Sequence, residues 1–144
     1  MSTSGKAHGK NLVFKLDTQA GLLTDISSWV ESVDGLPPEV EMDKYACGGA
    51  AGYSSIPGLQ TASIKLECIF DDTANSAWSI VKDYLTDTDT RSFELGPAGS
   101  TSGYAKLSGE LRIKKVSLPV KTTAGLRFTI DADLDGACAI GVYN

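Results

Sequence analysis

Histidine is nearly absent from this chain of 144 residues, in which His8 is the only one. Histidine is the commonest general base near neutral pH, and a nucleophile needs such a base held within hydrogen-bond reach by a rigid scaffold. Residues 1–10 contain two glycines and mostly small polar residues, so we expect a flexible arm that cannot hold His8 in place. The sequence therefore predicts no catalytic residues and no enzymatic activity.

Ligands for a metal ion are equally scarce. The three cysteines are odd in number and widely spaced, at Cys47, Cys68 and Cys138. This spacing provides neither a disulfide framework nor the paired ligands of a zinc site. The chain also lacks the glycine motifs that bind dinucleotides and phosphates, so the sequence predicts no metal and no cofactor.

Long apolar runs and a secretory signal are missing as well. No apolar stretch approaches the roughly 20 residues of a membrane-spanning helix, and the polar N-terminus lacks the apolar core of a signal peptide. We therefore expect no membrane contact and synthesis in the cytoplasm. The net charge of −5 also disfavours specific binding to the phosphate backbone of nucleic acids.

What the chain does contain is regular alternation of apolar and polar residues, which is typical of β-strands. Its length and composition fit one globular domain over residues 1–144. The predicted strands are 11–17, 29–34, 61–70, 90–95, 104–120 and 126–135, followed by a short C-terminal strand or arm over 137–144. The alternation changes phase at Lys114 and Lys115, which predicts a β-bulge or a bend at that point.

One helical stripe interrupts the strands. It follows residues 71–73, whose side chains can cap the free N–H groups of a helix. The apolar positions of the stripe are Ala77, Trp78, Val81, Tyr84 and Leu85. The sequence thus predicts a mainly β protein: two packed antiparallel sheets, arranged as a sandwich or a partly open barrel, flanked by one α-helix.

Segment 36–60 differs from the rest of the chain. It holds three prolines and four glycines without strand or helix periodicity, so we predict a long loop. Loops of this length in compact domains usually serve binding or another function. Its apolar and aromatic residues are of the kind found in interfaces, and the candidate contact residues are Leu36, Pro37, Met42, Tyr45, Tyr53, Ile56 and Pro57. The alternative is a hairpin-like extension that folds back on its own domain.

Three segments together resemble the tail tube (major tail) proteins of long-tailed bacteriophages, a family related to contractile-tail tubes and to the ring protein of type VI secretion. Segment 25–72 is similar to the family's short Ile-Ser turn, strand, long loop and Gly-Leu lead into a regular strand. Segment 73–85 is similar to the family's single helix, and segment 109–136 to its closing pair of long strands. The resemblance spans about residues 11–142.

The resemblance implies a structural virion protein with six copies in each ring, stacked into a tail tube that conducts DNA during ejection. It implies assembly in the host cytoplasm and contacts with a tape measure protein, a tail terminator and distal tail proteins. Segment 36–60 and both arms would reach neighbouring copies. An acidic lumen would repel DNA, and the candidates for its lining are Glu67, Glu110, Asp131, Asp133 and Asp135.

Two other interpretations are open at this point. A tube of a secretion or injection system would have the same fold, and alternating strands with one helix also describe small-molecule-binding β-barrels. Native mass spectrometry and light scattering separate these classes, because a carrier stays a small discrete species whereas a tube protein forms rings or polymers.

Overall fold

The computed structural model describes residues 8–46, 48–49, 51–87 and 89–144, which are mostly antiparallel β-structure. After a 3-10 turn at Gly9–Asn11, the elements in chain order are β1 (Val13–Asp17), β2 (Leu23–Asp25), β3 (Val30–Asp34), β4 (Glu39–Tyr45), β5 (Ser54–Thr61), β6 (Ser63–Ile69), α1 (Ala77–Val81), β7 (Arg91–Gly96), β8 (Ala105–Ser117) and β9 (Arg127–Val142). The prediction of a mainly β protein with one helix is confirmed.

Seven strands form one sheet in the order β2-β1-β7-β8-β9-β6-β3, and β4 and β5 form a separate two-stranded sheet. If the large sheet were flat, its outer strands β2 and β3 would lie about 29 Å apart, at ~4.8 Å per strand. Only residues 26–29 connect these two strands, and such a connection spans about 17 Å at most. The large sheet must therefore curl into a partly open barrel.

The concave face of the curled sheet carries the core, because each strand alternates buried apolar residues with more exposed ones. Its largest buried strand residues are Phe14, Leu16, Ile64, Leu66, Phe93, Leu107, Leu111, Phe128 and Ile130. The rings of Phe14 and Phe93, on adjacent strands, stack with their centroids 6.3 Å apart. Burial of each such side chain contributes about 1.5–3 kcal/mol, so this core is the main source of stability.

Helix α1 closes one end of the barrel, which we term the closed end. Trp78 of α1 packs between Phe70 and Phe128, with ring centroids 5.2 and 5.7 Å away. Buried Arg91, the first residue of β7, ties this helix to the sheet. Its Nη1 donates to the carbonyl oxygen of Ile80 at 2.6 Å.

Helix α1 ends earlier than predicted. In a longer helix the carbonyl of Ile80 would accept the N–H of Tyr84, but this carbonyl accepts from Arg91 and Tyr84 donates to Val81 instead. The helix therefore ends at Val81, and the stripe predicted through Leu85 is too long. Leu85 is 81% exposed.

The predicted helix cap was also wrong. Ser76 is the N-cap, and its Oγ accepts a backbone N–H of the first turn at 3.3 Å. Asp71, predicted to cap the helix, instead accepts the backbone N–H of Thr73 at 3.0 Å and the indole N–H of Trp29 at 2.9 Å. These hydrogen bonds favour the ionised carboxylate and lower the pKa of Asp71.

The two longest strands bend at bulges. The register of β8 and β9 shifts between Ile113 and Lys115, so the predicted bulge is confirmed. A second shift, between Ser108 and Glu110, matches extra residues in β9 at Gly136, where φ is 84°. Beyond this bulge β9 continues to Val142, so segment 137–144, predicted as a short strand or arm, is largely the continuation of β9.

Segment 36–60 is a β-hairpin rather than the irregular loop that the sequence predicted. Its register runs from Glu39 opposite Thr61 to Tyr45 opposite Ser54. Between these pairs β5 contains Pro57 and one extra residue, which together hide the strand periodicity.

Of the predicted N-terminal arm, residues 1–7 lie outside the described residues. His8 Nδ1 accepts the backbone N–H of Lys10 at 3.0 Å and starts the 3-10 turn. Within the described ranges, no helix is long and apolar enough to cross a membrane.

Candidate assembly surface

The end of the barrel opposite α1, which we term the open end, holds an apolar groove. Its cavity of about 480 Å³ lies among the start of β1, β3, the end of β7 and the start of β8. Its apolar lining residues are Leu12, Val33, Leu36, Pro37, Leu95, Pro97 and Leu107. Two of the predicted contact residues, Leu36 and Pro37, therefore line this groove.

The β4–β5 hairpin begins directly after these two residues, and every residue of its strands is exposed. The exposed fractions of its large apolar residues are 43% for Val40, 55% for Met42, 45% for Tyr45, 78% for Tyr53, 54% for Ile56 and 80% for Leu59. A two-stranded hairpin is only marginally stable alone in water. A concentration of exposed apolar side chains on such an element marks an interaction surface.

The hairpin is attached to the body of the protein at its base. Gln60 Oε1 accepts the backbone N–H of Cys138 in β9 at 3.0 Å. On the other side of the base, Gly35 lies between β3 and β4. Its φ is 91°, and a Cβ there would meet the carbonyl oxygen of Ser63. The turn at Gly35 therefore requires glycine and fixes the direction in which the hairpin leaves β3.

The register divides the hairpin into two faces. Asp43 lies opposite Ile56, so these side chains share a face. Alternate residues of β4 point the same way, which adds three more residues to that face. We name it the acidic face: Glu39, Glu41, Asp43, Tyr45 and Ile56.

The opposite face of the hairpin carries no carboxylate and is apolar at its centre. Met42 lies opposite Pro57 there, alternation along β4 adds Val40 and Lys44, and their partners on β5 are Gln60 and Ser55. We name it the apolar face. Both faces thus present large apolar side chains. A hairpin that kept one face in water would carry its apolar side chains on the other face only.

The end of β9 presents an unpaired strand edge. β9 pairs with β6 as far as Asp133, and beyond that point its ladder continues with β8. The N–H of Tyr143 donates to the carbonyl of Tyr104, which lies on the β8 side of the strand. Because the backbone groups of successive residues point to opposite sides, the N–H and C=O groups of Ile140 and Val142 point away from β8. Among the described residues these groups meet no further strand, and such edges readily pair with another chain.

The predicted lumen residues lie on the convex, polar face of the sheet. Glu110 is directly opposite Asp135, and Glu67 alternates with buried residues on β6. The structure thus brings all five carboxylates onto one face: Glu67, Glu110, Asp131, Asp133 and Asp135. Which surface this face meets in an assembly stays a prediction.

This polar face is interleaved with basic residues and is not uniformly acidic. Two of its ion pairs are Lys114–Asp133 and Arg112–Asp135, with N–O distances of 3.1 and 3.2 Å. Asp131 lies directly opposite Lys65 on β6 and Lys115 on β8. Such exposed pairs add at most about 1 kcal/mol of stability each, but they remove most of the net charge of the face.

The described residues offer no site for metal or thiol chemistry. No group of three or more His, Cys, Asp and Glu in the described ranges could hold a metal ion. Burial, with the nearby charges of Glu31 and Glu67, raises the pKa of Cys68 to about 12, and burial also raises the pKa of Cys138. Both thiols therefore stay protonated and unreactive at neutral pH. Cys47 lies outside the described residues.

The structure gathers the seven predicted contact residues in one region, with two in the groove and five in the hairpin. Their role in assembly stays a prediction. Sequence reasoning missed Val40 and Leu59 in the hairpin, and Ile140 and Val142 at the strand edge, all 43% exposed or more. Their apolar character was visible, but their exposure depends on the three-dimensional arrangement.

A curled antiparallel sheet with one helix at its closed end and a hairpin at its open end defines the class of tail-tube folds. The chain has a TM-score of 0.74 to a chain from the tail of an empty gene transfer agent (GTA) particle, with 15% identity, covering 95% of this chain and 100% of that one. For the SPP1 tail tube, the TM-score is 0.73 at 10% identity, with coverages of 95% and 80%.

A chain of the sheath-tube complex of PVC, an extracellular contractile injection system, gives a TM-score of 0.71 at 12% identity, with coverages of 97% and 94%. No protein-family model and no curated protein matches the sequence. The matched structures are components of tails and tubes, which are not enzymes. The fold is therefore that of the tail-tube proteins that the sequence resembles.

Proposed function

We propose that this chain is a structural tube protein, of which six copies close into a ring and the rings stack into a phage tail tube that conducts DNA. The observation that carries this proposal is the likeness to tail and tube chains along nearly the whole length of this chain. The number six rests on the C6 symmetry of the GTA tail. Its location would be the virion tail, assembled in the host cytoplasm.

Features of this chain support self-association. The sheet ends at the unpaired outer edges of β2 and β3, and β9 adds a third free edge near Val142. Unpaired strand edges and exposed apolar surface are a liability for a solitary molecule, whereas a closed ring pairs the edges and buries the surface. The hairpin supplies the exposed surface at the open end.

The convex polar face of the sheet is the best candidate for the wall of the lumen. Its carboxylates alternate with lysines and arginines, and Lys114 and Arg112 form ion pairs with two of them, so we expect no basic patch that would hold DNA. A reconstruction of the tube that places Glu67, Glu110, Asp131, Asp133 and Asp135 on the outer wall would contradict this assignment.

A tube of an injection system is the second candidate function. The PVC chain matches this chain with a TM-score of 0.71, close to the values for the two tails. In a phage, a tape measure protein, a tail terminator and distal tail proteins would contact the tube. Co-purification with a tape measure protein and with DNA-filled particles would separate a phage tail from an injection system.

Light scattering and negative-stain microscopy of the purified chain at high concentration test self-assembly. We expect sixfold rings and tubes from the parent protein. A variant with residues 41–59 replaced by Asn-Gly keeps the pairing of Glu39 with Thr61 and of Val40 with Gln60, and the contact made by Gln60. It should unfold like the parent but stay monomeric.

Two results would count against the proposal. A parent protein that stays a discrete small species at every concentration would fit a small-molecule carrier instead. Normal tubes from the shortened variant would show that the hairpin is not an assembly element.

A further inference from the structure

The hairpin and the β8–β9 turn lie at opposite ends of the molecule. β6 starts at Ser63, beside the base of the hairpin, and ends at Ile69, which pairs with Arg127 at the start of antiparallel β9. The turn over residues 118–126 precedes Arg127, so it lies at the closed end. The length of β6, about 20 Å, separates the two elements along the barrel.

The acidic face of the hairpin carries three exposed carboxylates: Glu39, Glu41 and Asp43. In the described part of the chain, none of them takes part in an ion pair. Beside them on the same face, Ile56 is 54% exposed and Tyr45 is 45% exposed. Within the described residues, no positive charge therefore balances the carboxylates of this face, and Ile56 and Tyr45 remain about half exposed to solvent.

The β8–β9 turn has the complementary character. No acidic residue occurs between Arg112 and Arg127, and these two arginines and Lys114 are engaged by carboxylates of the same chain. Lys115 and Lys121 are exposed and form no ion pair with the described residues.

The turn itself combines positive charge with apolar surface. Val120, next to Lys121, is 70% exposed and adds an apolar contact. The carboxylates near this end belong to other elements: Asp131, which lies opposite both Lys115 and Lys65, Asp71, which binds the indole of Trp29, and exposed Asp72. Lys115 therefore shares Asp131 with Lys65, and no acidic residue of the turn accompanies Lys121.

We propose that the acidic face of one copy's hairpin docks on the β8–β9 turn of a second copy in the next ring. Its carboxylates pair with Lys115 and Lys121, while Ile56 packs against Val120. Because the two surfaces lie at opposite ends, the contact is head-to-tail, cannot close between two copies, and propagates as a stack. This inference rests on the proposed tube function and specifies its ring-to-ring contact.

Charge reversal tests the contact. The hairpin variant Glu41→Lys/Asp43→Lys and the turn variant Lys115→Glu/Lys121→Glu each place like charges together at every junction between rings. Each should raise the protein concentration needed for tubes at least about tenfold. A chain that carries all four changes restores opposite charges at every junction, so it should form tubes at nearly the parent's concentration.

The matched control is Lys44→Glu, which reverses a charge on the same strand but on the apolar face, and it should form tubes like the parent. A four-residue variant that polymerises no better than the two-residue variants would overturn the contact, as would a control as defective as the hairpin variant. If the Lys115 change alters thermal unfolding, the pair Asp43→Lys and Lys121→Glu applies the same test. A parent protein that forms no tubes would instead refute the proposed function itself.

Discussion

The closed and open ends of this barrel use their side chains in opposite ways. At the closed end, Trp78 is packed between two aromatic rings, and the guanidinium of Arg91 donates a hydrogen bond to the carbonyl of Ile80. At the open end, an apolar groove, a free strand edge and a hairpin with two apolar-bearing faces all meet solvent. Internal contacts are therefore concentrated at the closed end, and exposed apolar surface at the open end.

This separation allows folding and assembly to be changed independently. Substitutions at the closed end should lower the free energy of unfolding of the monomer. Substitutions in the hairpin should leave that free energy nearly unchanged and remove tubes. The predictions below test this contrast from the largest expected effect on stability to the smallest.

The largest effect is expected for Arg91→Ala at the closed end. Arg91 pairs with Asp83 and with Asp87, whose side chain is only 6% exposed, and it binds the carbonyl of Ile80. The substitution leaves the carbonyl of Ile80 without its donor and the carboxylate of Asp87 without its cation, so we expect a loss of about 3–5 kcal/mol in urea unfolding. A loss below about 1 kcal/mol would show that water replaces the guanidinium easily.

A smaller effect is expected for Gly35→Ala at the base of the hairpin. The backbone there has a φ of 91°, and the new Cβ would clash with the carbonyl of Ser63. Relief of this clash must move the turn, so we expect a loss of about 1–3 kcal/mol in chemical denaturation. Gly21→Ala is the matched control, because φ is 85° but the space around its Cβ is open, so its loss should be smaller. Equal losses would mean that the positive φ, and not the clash with Ser63, causes the destabilisation.

A pH-dependent effect is expected for Asp71→Asn at the closed end. The hydrogen bonds from Thr73 and Trp29 lower the pKa of Asp71 in the folded state. Because the pKa of Asp71 is lower in the folded chain than the value of about 3.9 in the unfolded chain, its carboxylate stabilises the fold at pH values above about 3.9. This stabilisation is lost as the pH falls through the pKa of the folded chain. The variant should therefore melt below the parent near neutral pH, and the difference in Tm should shrink on acidification. A difference that stays constant with pH would exclude the carboxylate charge as its cause.

The smallest effect on stability is expected for Tyr53→Ser/Leu59→Ser in the hairpin. Both side chains are at least 78% exposed, so the free energy of unfolding should change by no more than about 0.5 kcal/mol. Light scattering should nevertheless show loss of polymers. The control Leu85→Ser removes an equally exposed leucine, at the closed end, and should retain polymers. Equal defects in both variants would contradict a specific role for the hairpin.

Sequence patterns predicted the elements that bury one face. The residues of β6 alternate between core and solvent, so its strand was recognisable, and the phase change at Lys114 marked a real bulge. The hairpin has no buried face, and Pro57 and the extra residue of β5 interrupt its alternation, so the sequence predicts a loop there.

Other features depend on contacts between distant parts of the chain. Helix α1 ends at Val81, where Arg91, from β7, donates to the carbonyl of Ile80. The open groove combines residues from β3, β7 and β8 with residues of the adjoining loops, and no local pattern shows that they meet. Tertiary contacts of this kind override local propensity, which is why the predicted helix was too long.

A helical reconstruction by cryo-electron microscopy of tubes assembled from the purified chain tests the central claim most directly. The account predicts sixfold rings in which the open end of each copy, with its hairpin, contacts copies in the adjacent ring. A protein that remains monomeric at high concentration, or tubes in which the hairpin stays in solvent, would contradict it.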